Sequence, residues 1–212
     1  MTYDEKIENE NKFAKVFSEI RKYNMQSADR LVHLLHYLLM SEHLEGDVVE
    51  MGCHSGGTAM LFSLLTSKKV YLYDSFEGFP EEDTDGKDSA GFQPHKYAVT
   101  MDSVLQNYKN YDIKDPIIIP GYFNSLTEKD LPSKISFAHI DGDLYQSVMD
   151  SLELVYPLVT SGGYILIDDY LSPRYEGATQ AVKDFFSDKP EPVVNLPGSN
   201  STQSYKALVV KG

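Results

Sequence analysis

Two carboxylate-bearing segments hold the strongest chemical signal in this sequence. Asp141-Gly142-Asp143 follows the mostly apolar run 135–140, and Asp168-Asp169 follows the apolar run 164–167. In an open parallel sheet, ligands bind at the carboxyl ends of the strands. Neighbouring strands lie ~4.8 Å apart, so Asp141 and Asp168 are expected to converge. Carboxylates brought together repel one another unless a cation neutralises them. All-oxygen ligation completed by water suits Mg²⁺, Mn²⁺ or Ca²⁺, not Zn²⁺. The competing reading is structural: Asp168 or Asp169 caps a turn, and Asp143 caps the helix that follows.

A second segment, Glu50-Met-Gly52-Cys-His-Ser-Gly56-Gly57, lies between a strand pattern and a helix pattern. Glycines there let a ligand approach the backbone closely, and the helix N-terminus is electropositive. It departs from the G-x-G-x-x-G dinucleotide fingerprint, because His54 holds the second glycine position. A glutamate two residues before the first glycine suits a cationic ligand group. Asp74 ends the next strand, 24 residues after Glu50, where an acidic residue accepts from ribose hydroxyls. A plain glycine-rich turn and a solvated strand-end Asp are the bland alternatives. His139 reads as a satisfied core histidine, Cys53 as a small filler, and Tyr145 equally as a substrate contact or a packing residue.

These residues need elements to hold them. Leu31, Leu34, Leu35, Leu38 and Leu39 recur at helical spacing, predicting a helix over 28–44 with Ser27 as N-cap and Gly46 as its stop. Strands are predicted at 47–52, 69–74, 116–119, 135–141 and 164–168, and helices at 56–67, 100–111, 146–158 and 176–187. Ser161-Gly162-Gly163 is read as the turn closing the third of those helices. Alternation of this kind predicts a mostly parallel α/β sheet covered on both faces. The segments 192–195 and 205–210 are joined too tightly for a helical crossover, so an antiparallel closing hairpin is expected, giving seven strands. The loop 75–97 is long and acidic, the kind of segment that acts as a lid or substrate contact. The stripe Phe13, Val16, Phe17 and Ile20 predicts a short amphipathic helix docking on the body or on a neighbour, which is compatible with a homo-oligomer.

Composition narrows the classes. The 212 residues are 42% hydrophobic, enough for one substantial core. The net charge of −13 repels phosphate backbones and anionic lipid headgroups, so neither nucleic acid nor membrane is an expected partner. No apolar run is long enough to span a bilayer, and the first residues carry no secretory pattern. The single cysteine, Cys53, excludes an intrachain disulfide, and a cytoplasmic location is expected.

Four segments carry a family resemblance: Val48-Val-Glu-Met-Gly-Cys-His-Ser-Gly-Gly57, Tyr73-Asp-Ser-Phe-Glu-Gly-Phe-Pro80, His139-Ile-Asp-Gly-Asp-Leu-Tyr-Gln-Ser147 and Gly162-Gly-Tyr-Ile-Leu-Ile-Asp-Asp-Tyr170. In this order the chain resembles the macrocin/mycinamicin O-methyltransferase (TylF-like) family, from about Tyr23 to Phe186. The resemblance implies a Rossmann-like class I methyltransferase fold, S-adenosylmethionine and Mg²⁺ as cofactors, and sugar hydroxyls of natural products or glycans as acceptors. It implies a methyltransferase domain over 23–212 after a lead-in of residues 1–22. Position by position, Asp141, Asp168 and Asp169 match the metal ligands, and Asp141 also matches the general base. Glu50 and Gly52 match contacts to the methionine half of the cofactor, and Asp74 the ribose contact. Asn24 and Thr100 match further cofactor positions, with His54, Ser75 and Asn124 counted beside them and Tyr145 on the substrate side. The family's aromatic residue and Arg before the paired glycines are replaced here by His54 and Ser55, and the segment 121–126 is one residue shorter than usual.

The expectation is therefore an Mg²⁺-dependent O-methyltransferase acting on a vicinal diol of a small sugar-bearing substrate. An NAD(P)-dependent oxidoreductase on the same sheet stays open, with His54 against it. A metal-dependent phosphohydrolase lacks a phosphate-cradling loop with Lys or Arg near the carboxylates. A degenerate, non-catalytic member is the third alternative, kept open by His54 and Ser55.

Overall fold

The computed structural model of this chain describes residues 14–15, 17–19, 28–82, 87–88, 92–196 and 205–212. Seven strands form one sheet: β1 (Asp47–Met51), β2 (Val70–Asp74), β3 (Ile117–Pro120), β4 (Ile135–Ile140), β5 (Val159–Tyr170), β6 (Val194–Leu196) and β7 (Tyr205–Val210). Their order is β3-β2-β1-β4-β5-β7-β6. The first five pair in parallel, and β7 runs antiparallel to both β5 and β6. The expected closing hairpin is present.

Residue parity along each strand sorts the core into two faces. Val49, Met51, Ala138, Ile140, Ile165, Ile167, Ala207 and Val209 belong to one cluster, with Val148 and Leu152 of α4 (Tyr145–Val155) and Ala178 and Val182 of α5 (Glu176–Phe185). Val48, Phe137, Leu166 and Leu208 belong to the other, with Leu34 and Leu38 of α1 (Ala28–Met40), Met60 and Phe62 of α2 (Gly57–Leu65), and Val104 and Tyr108 of α3 (Met101–Asn110). Glu50, His139 and Lys206 have the parity of the second cluster, so three polar residues are aimed at an apolar face.

Three elements differ from expectation. The helix expected over 28–44 is α1 followed by a 3-10 turn, Ser41–His43. β5 begins at Val159, so Ser161-Gly162-Gly163 lies inside a 12-residue strand and is not a helix-ending turn. Gly162 and Lys211 exchange backbone hydrogen bonds across that segment, Gly162 N to Lys211 O at 2.8 Å and Lys211 N to Gly163 O at 2.9 Å. Antiparallel pairing thus extends the strand beyond what its own residues favour. The helix expected over 146–158 is α4 followed by a 3-10 turn, Tyr156–Leu158, containing Pro157. Of the N-terminal stripe, Phe17 packs on the second cluster, and the Tyr111 hydroxyl donates to Glu19 at 2.6 Å. Phe13, Val16, Ile20, Asn24 and Ser27 lie outside the described residues.

Candidate active site

The sheet tips are locked together by backbone. Gly52 N donates to Tyr73 O and Asp141 N donates to Met51 O, each at 2.8 Å, so β1, β2 and β4 stay in register to their ends. Gly52 has φ +90, and a Cβ there would sit 2.2 Å from Asp141 O. The tip of β4 therefore fits against β1 only because residue 52 has no side chain. Asp74 accepts at 2.8 Å from His54 N through one carboxylate oxygen and from Phe76 N through the other. It ties the glycine-rich turn to the β2 turn.

A row of buried charges crosses the second face of the sheet. His139 Nδ1 donates to Glu50 Oε1 at 2.9 Å, and both side chains are buried. His139 is thus the partnered core histidine expected from sequence. Among the described residues, Glu50 Oε2 and His139 Nε2 have no hydrogen-bond partner. Lys206 Nζ lies 2.8 Å from Asp168 Oδ2, with neither side chain exposed. Arg30, from α1, bonds Asp168 Oδ1 and lies 3.5 Å from Asp169 Oδ1. Burial opposes every one of these charges, so each needs a partner. The sequence reading missed Arg30 and Lys206. Lys206 shares the parity of buried Leu208, and Arg30 stands one turn before Leu34 on α1, so the signal was positional.

Beside that row the acidic residues converge. Asp141, Asp143 and Asp169 each bring one carboxylate oxygen within 4.8 Å of the others, and His139, Asp141 and Asp168 form an overlapping group. Asp143 and Asp169 sit in the left-handed region, at φ 58 and φ 54. Asp143 does not cap α4, whose N-cap makes no side-chain hydrogen bond. Asp169 lies in a register shift of the β5–β7 ladder between Ile167 and Tyr170. Two irregular backbones thus re-aim two carboxylates, the kind of strain found at functional sites. Burial, then the charge of Asp168, pushes the Asp141 carboxyl up to about 7. Burial and neighbouring carboxylates raise Asp143 and Asp169 as well. Asp168 moves the other way: burial would raise it, but Lys206 and Arg30 hold it well below the usual carboxylate range. The donor set fits a hard divalent ion, and the orphaned Glu50 oxygen fits a cationic group.

A cavity of about 240 Å³ opens beside the tips. Gly52, Asp74, Ser75, Asn124, Asp141 and Asp143 line it, with Phe79, Lys96 and Tyr97 contributed by the acidic loop. Five predicted positions, namely Gly52, Asp74, Ser75, Asn124 and Asp141, are brought together there. Others sit elsewhere. Thr100 is exposed and caps α3, its side chain accepting from Ser103 N at 3.2 Å. Glu50 and Asp168 are buried in the sheet face, and the His54 ring packs edge-on to Tyr97 at 5.9 Å. Tyr145 does not line the cavity, although its neighbours Leu144 and Gln146 do. Its hydroxyl donates to Asp184 at 3.1 Å, and Lys87 Nζ lies 3.1 Å from its ring centroid.

The acidic loop is anchored by Asp88, which is 2% exposed. One of its oxygens accepts from Tyr145 N at 2.7 Å and the other from Gly177 N at 3.0 Å. One carboxylate thereby caps the N-terminal ends of α4 and α5 and pins the loop over the cavity. Asp88→Ala is expected to lower stability by about 2 kcal/mol, the scale of charge-assisted bonds to two amides. Thermal melting measures this; an unchanged midpoint would show that the anchor carries no stability.

Comparison with known proteins places this architecture. The family described as macrocin-O-methyltransferase (TylF) matches residues 12–195. The chain belongs to that family. It is 31% identical over 146 residues to demethyldecarbamoylnovobiocin O-methyltransferase of Streptomyces niveus, covering 63% of this chain and 56% of that protein. It is 29% identical over 160 residues to the 8-demethyl-8-(2,3-dimethoxy-alpha-L-rhamnosyl)-tetracenomycin-C 4'-O-methyltransferase of Streptomyces olivaceus, covering 69% of this chain and 60% of that one. The matched regions thus span less than two thirds of the length of these two relatives. The solved structure of the O-methyltransferase NovP superposes with a TM-score of 0.77 at 25% identity, over 89% of this chain and 82% of that one. The mostly parallel seven-stranded sheet with antiparallel C-terminal strands is accordingly the class I methyltransferase fold. Among the described residues, no helix of this family member is long and apolar enough to cross a membrane.

Proposed function

We propose that this TylF-family chain is an S-adenosylmethionine-dependent O-methyltransferase. Its acceptor is a hydroxyl of a vicinal diol on a sugar of a natural product or glycan, and it works with Mg²⁺. The observation that carries this reading is the convergence of the Asp141, Asp143 and Asp169 carboxylates, with Asp141 and Asp143 lining the same cavity as Gly52 and Asp74. The relatives' names, one of them specifying a rhamnosyl group, support a sugar acceptor.

Asp74, Ser75 and Asn124 line the side of the cavity that would take the adenosine half of the cofactor. Glu50, although buried in the sheet face and outside the cavity lining, is with Asn24, His54 and Thr100 among the positions that the family likeness assigns to the cofactor. Asp141, Asp168 and Asp169 would hold the ion, as the family resemblance implies. When bound, the cofactor supplies an electrophilic methyl on a sulfonium, and the ion supplies Lewis acidity toward a hydroxyl. Asp141 accepts the acceptor's hydroxyl proton, and Tyr145 borders the acceptor side. The cofactor, held beside Asp141 by Gly52, Asp74 and Asn124, would supply its methyl group to that oxygen and would leave as a neutral thioether. Opposite charges cancel in that step, so a buried pocket does not penalise it. Most of the rate comes from holding oxygen, carbon and sulfur in line.

Two readouts test the reading. S-adenosylhomocysteine is expected to bind in calorimetry, and chelator-treated protein is expected to regain methyl transfer on adding Mg²⁺. Full activity in excess chelator would refute the ion; absence of nucleoside binding would favour a non-catalytic member.

A further inference from the structure

We infer that Asn107, on α3 and outside the cavity lining, is a positioning residue for the cofactor: its side-chain amide fixes the glycine-rich turn in the form that binds. The inference rests on the cofactor reading proposed above and adds a residue that the sequence reading did not single out.

Three observations carry it. First, the turn has an unusual backbone. Gly52, His54 and Gly56 have φ of +90, +45 and +77, three left-handed positions in one short turn. For His54, which has a Cβ, that conformation is costly and persists only where neighbours over-determine it. Second, the turn is tied down from two sides. On the β2 side, His54 N donates to Asp74 Oδ2 at 2.8 Å, so the turn and the carboxylate proposed for the ribose move together. On the α3 side, Asn107 Nδ2 donates to Ser55 O at 3.1 Å. Asn107 is buried, where an unpaired amide is costly, so this bond resists breaking. Third, the same face of α3 is fitted to the turn. Val104 stands three residues before Asn107, on the same side of the helix. A Cβ on Gly56 would meet Val104 Cγ1 at 2.8 Å. The apolar contact sets the spacing of helix and turn, and the Asn107 amide fixes which way the Ser55 peptide faces. With that amide removed, the peptide rotates and the turn holds its binding form only part of the time. Apparent affinity falls by that fraction.

Tyr108 separates this role from plain packing. It is the next residue of α3, it is fully buried, and its hydroxyl meets Ser63 Oγ at 3.3 Å in the body of α2, not on the turn.

Calorimetry of S-adenosylhomocysteine binding to the whole chain tests this, with melting curves on the same preparations. Asn107→Leu removes the donor at similar volume, and Asn107→Asp sets a carboxylate oxygen against Ser55 O. Each is expected to weaken binding by about tenfold, the turn then holding its binding form about a tenth of the time. Tyr108→Phe removes a buried bond from the same helix and is expected to change affinity by less than about twofold, whatever it does to the melting midpoint. If one Asn107 variant does not fold, the other decides alone. Wild-type affinity in a folded Asn107 variant overturns the inference. So does a loss in Tyr108→Phe equal to that in the Asn107 variants, which would make the effect one of general packing. Both outcomes leave the cofactor reading intact. Wild-type protein that binds no S-adenosylhomocysteine overturns that reading and this inference with it.

Discussion

Asp141→Asn is expected to lower kcat for methyl transfer by roughly 10²–10⁴-fold, the range for removing a positioned general base. The substitution keeps the size and the backbone position of residue 141, whose N–H is held by Met51 O. It removes the proposed proton acceptor and one proposed ion ligand together. The cavity wall formed by Gly52, Asp74 and Ser75, the proposed cofactor surface, is left as it was. S-adenosylhomocysteine affinity should therefore change far less than turnover. Single-turnover kinetics with calorimetry on the same preparation separates the two. Turnover within a few fold of wild type would remove Asp141 from the chemistry.

Gly52→Ala is expected to destabilise the protein by roughly 3–5 kcal/mol, combining a left-handed backbone penalty with overpacking. Its Cβ would meet Asp141 O at 2.2 Å and Asp141 C at 2.9 Å, both backbone atoms of the adjacent strand tip. Neither can move without parting β1 from β4. Gly162 is the control. It has a similar φ of +79, but a Cβ there meets only Leu44 Cδ2 at 3.7 Å. Gly162→Ala should cost only the conformational part, roughly 1–2 kcal/mol. Urea unfolding of both variants measures the difference. Equal losses would mean that the close approach of the two tips contributes nothing.

The end of the sheet that carries the candidate site was largely legible because strand ends are written in the sequence. An apolar run that stops at Asp141, Asp74 or Asp168 predicts both the strand and where its carboxylate emerges. The glycine turn was legible for the same reason. What could not be read depended on partners distant in the chain. Lys206 becomes a partner of Asp168 only through the antiparallel β5–β7 pairing, 38 residues apart in sequence. Arg30 reaches the same carboxylate across 138 residues. Asp88 looked like one more acidic residue in a solvated loop, yet it closes onto two helix ends. For Asp143 a helix cap was the competing reading, because Asp favours that position. The left-handed backbone that turns it toward Asp169 has no local signature. Thr100 caps its helix, as its local sequence alone would predict.

The most direct measurement is a crystal structure of the chain soaked with Mn²⁺ and S-adenosylhomocysteine, read by anomalous scattering. A peak about 2.1–2.2 Å from Asp141 and Asp169 oxygens, with the cofactor's sulfur in the same cavity, is the predicted result. A bound nucleoside with no metal peak at those two strand ends, or a peak at a distant surface site, would contradict the account.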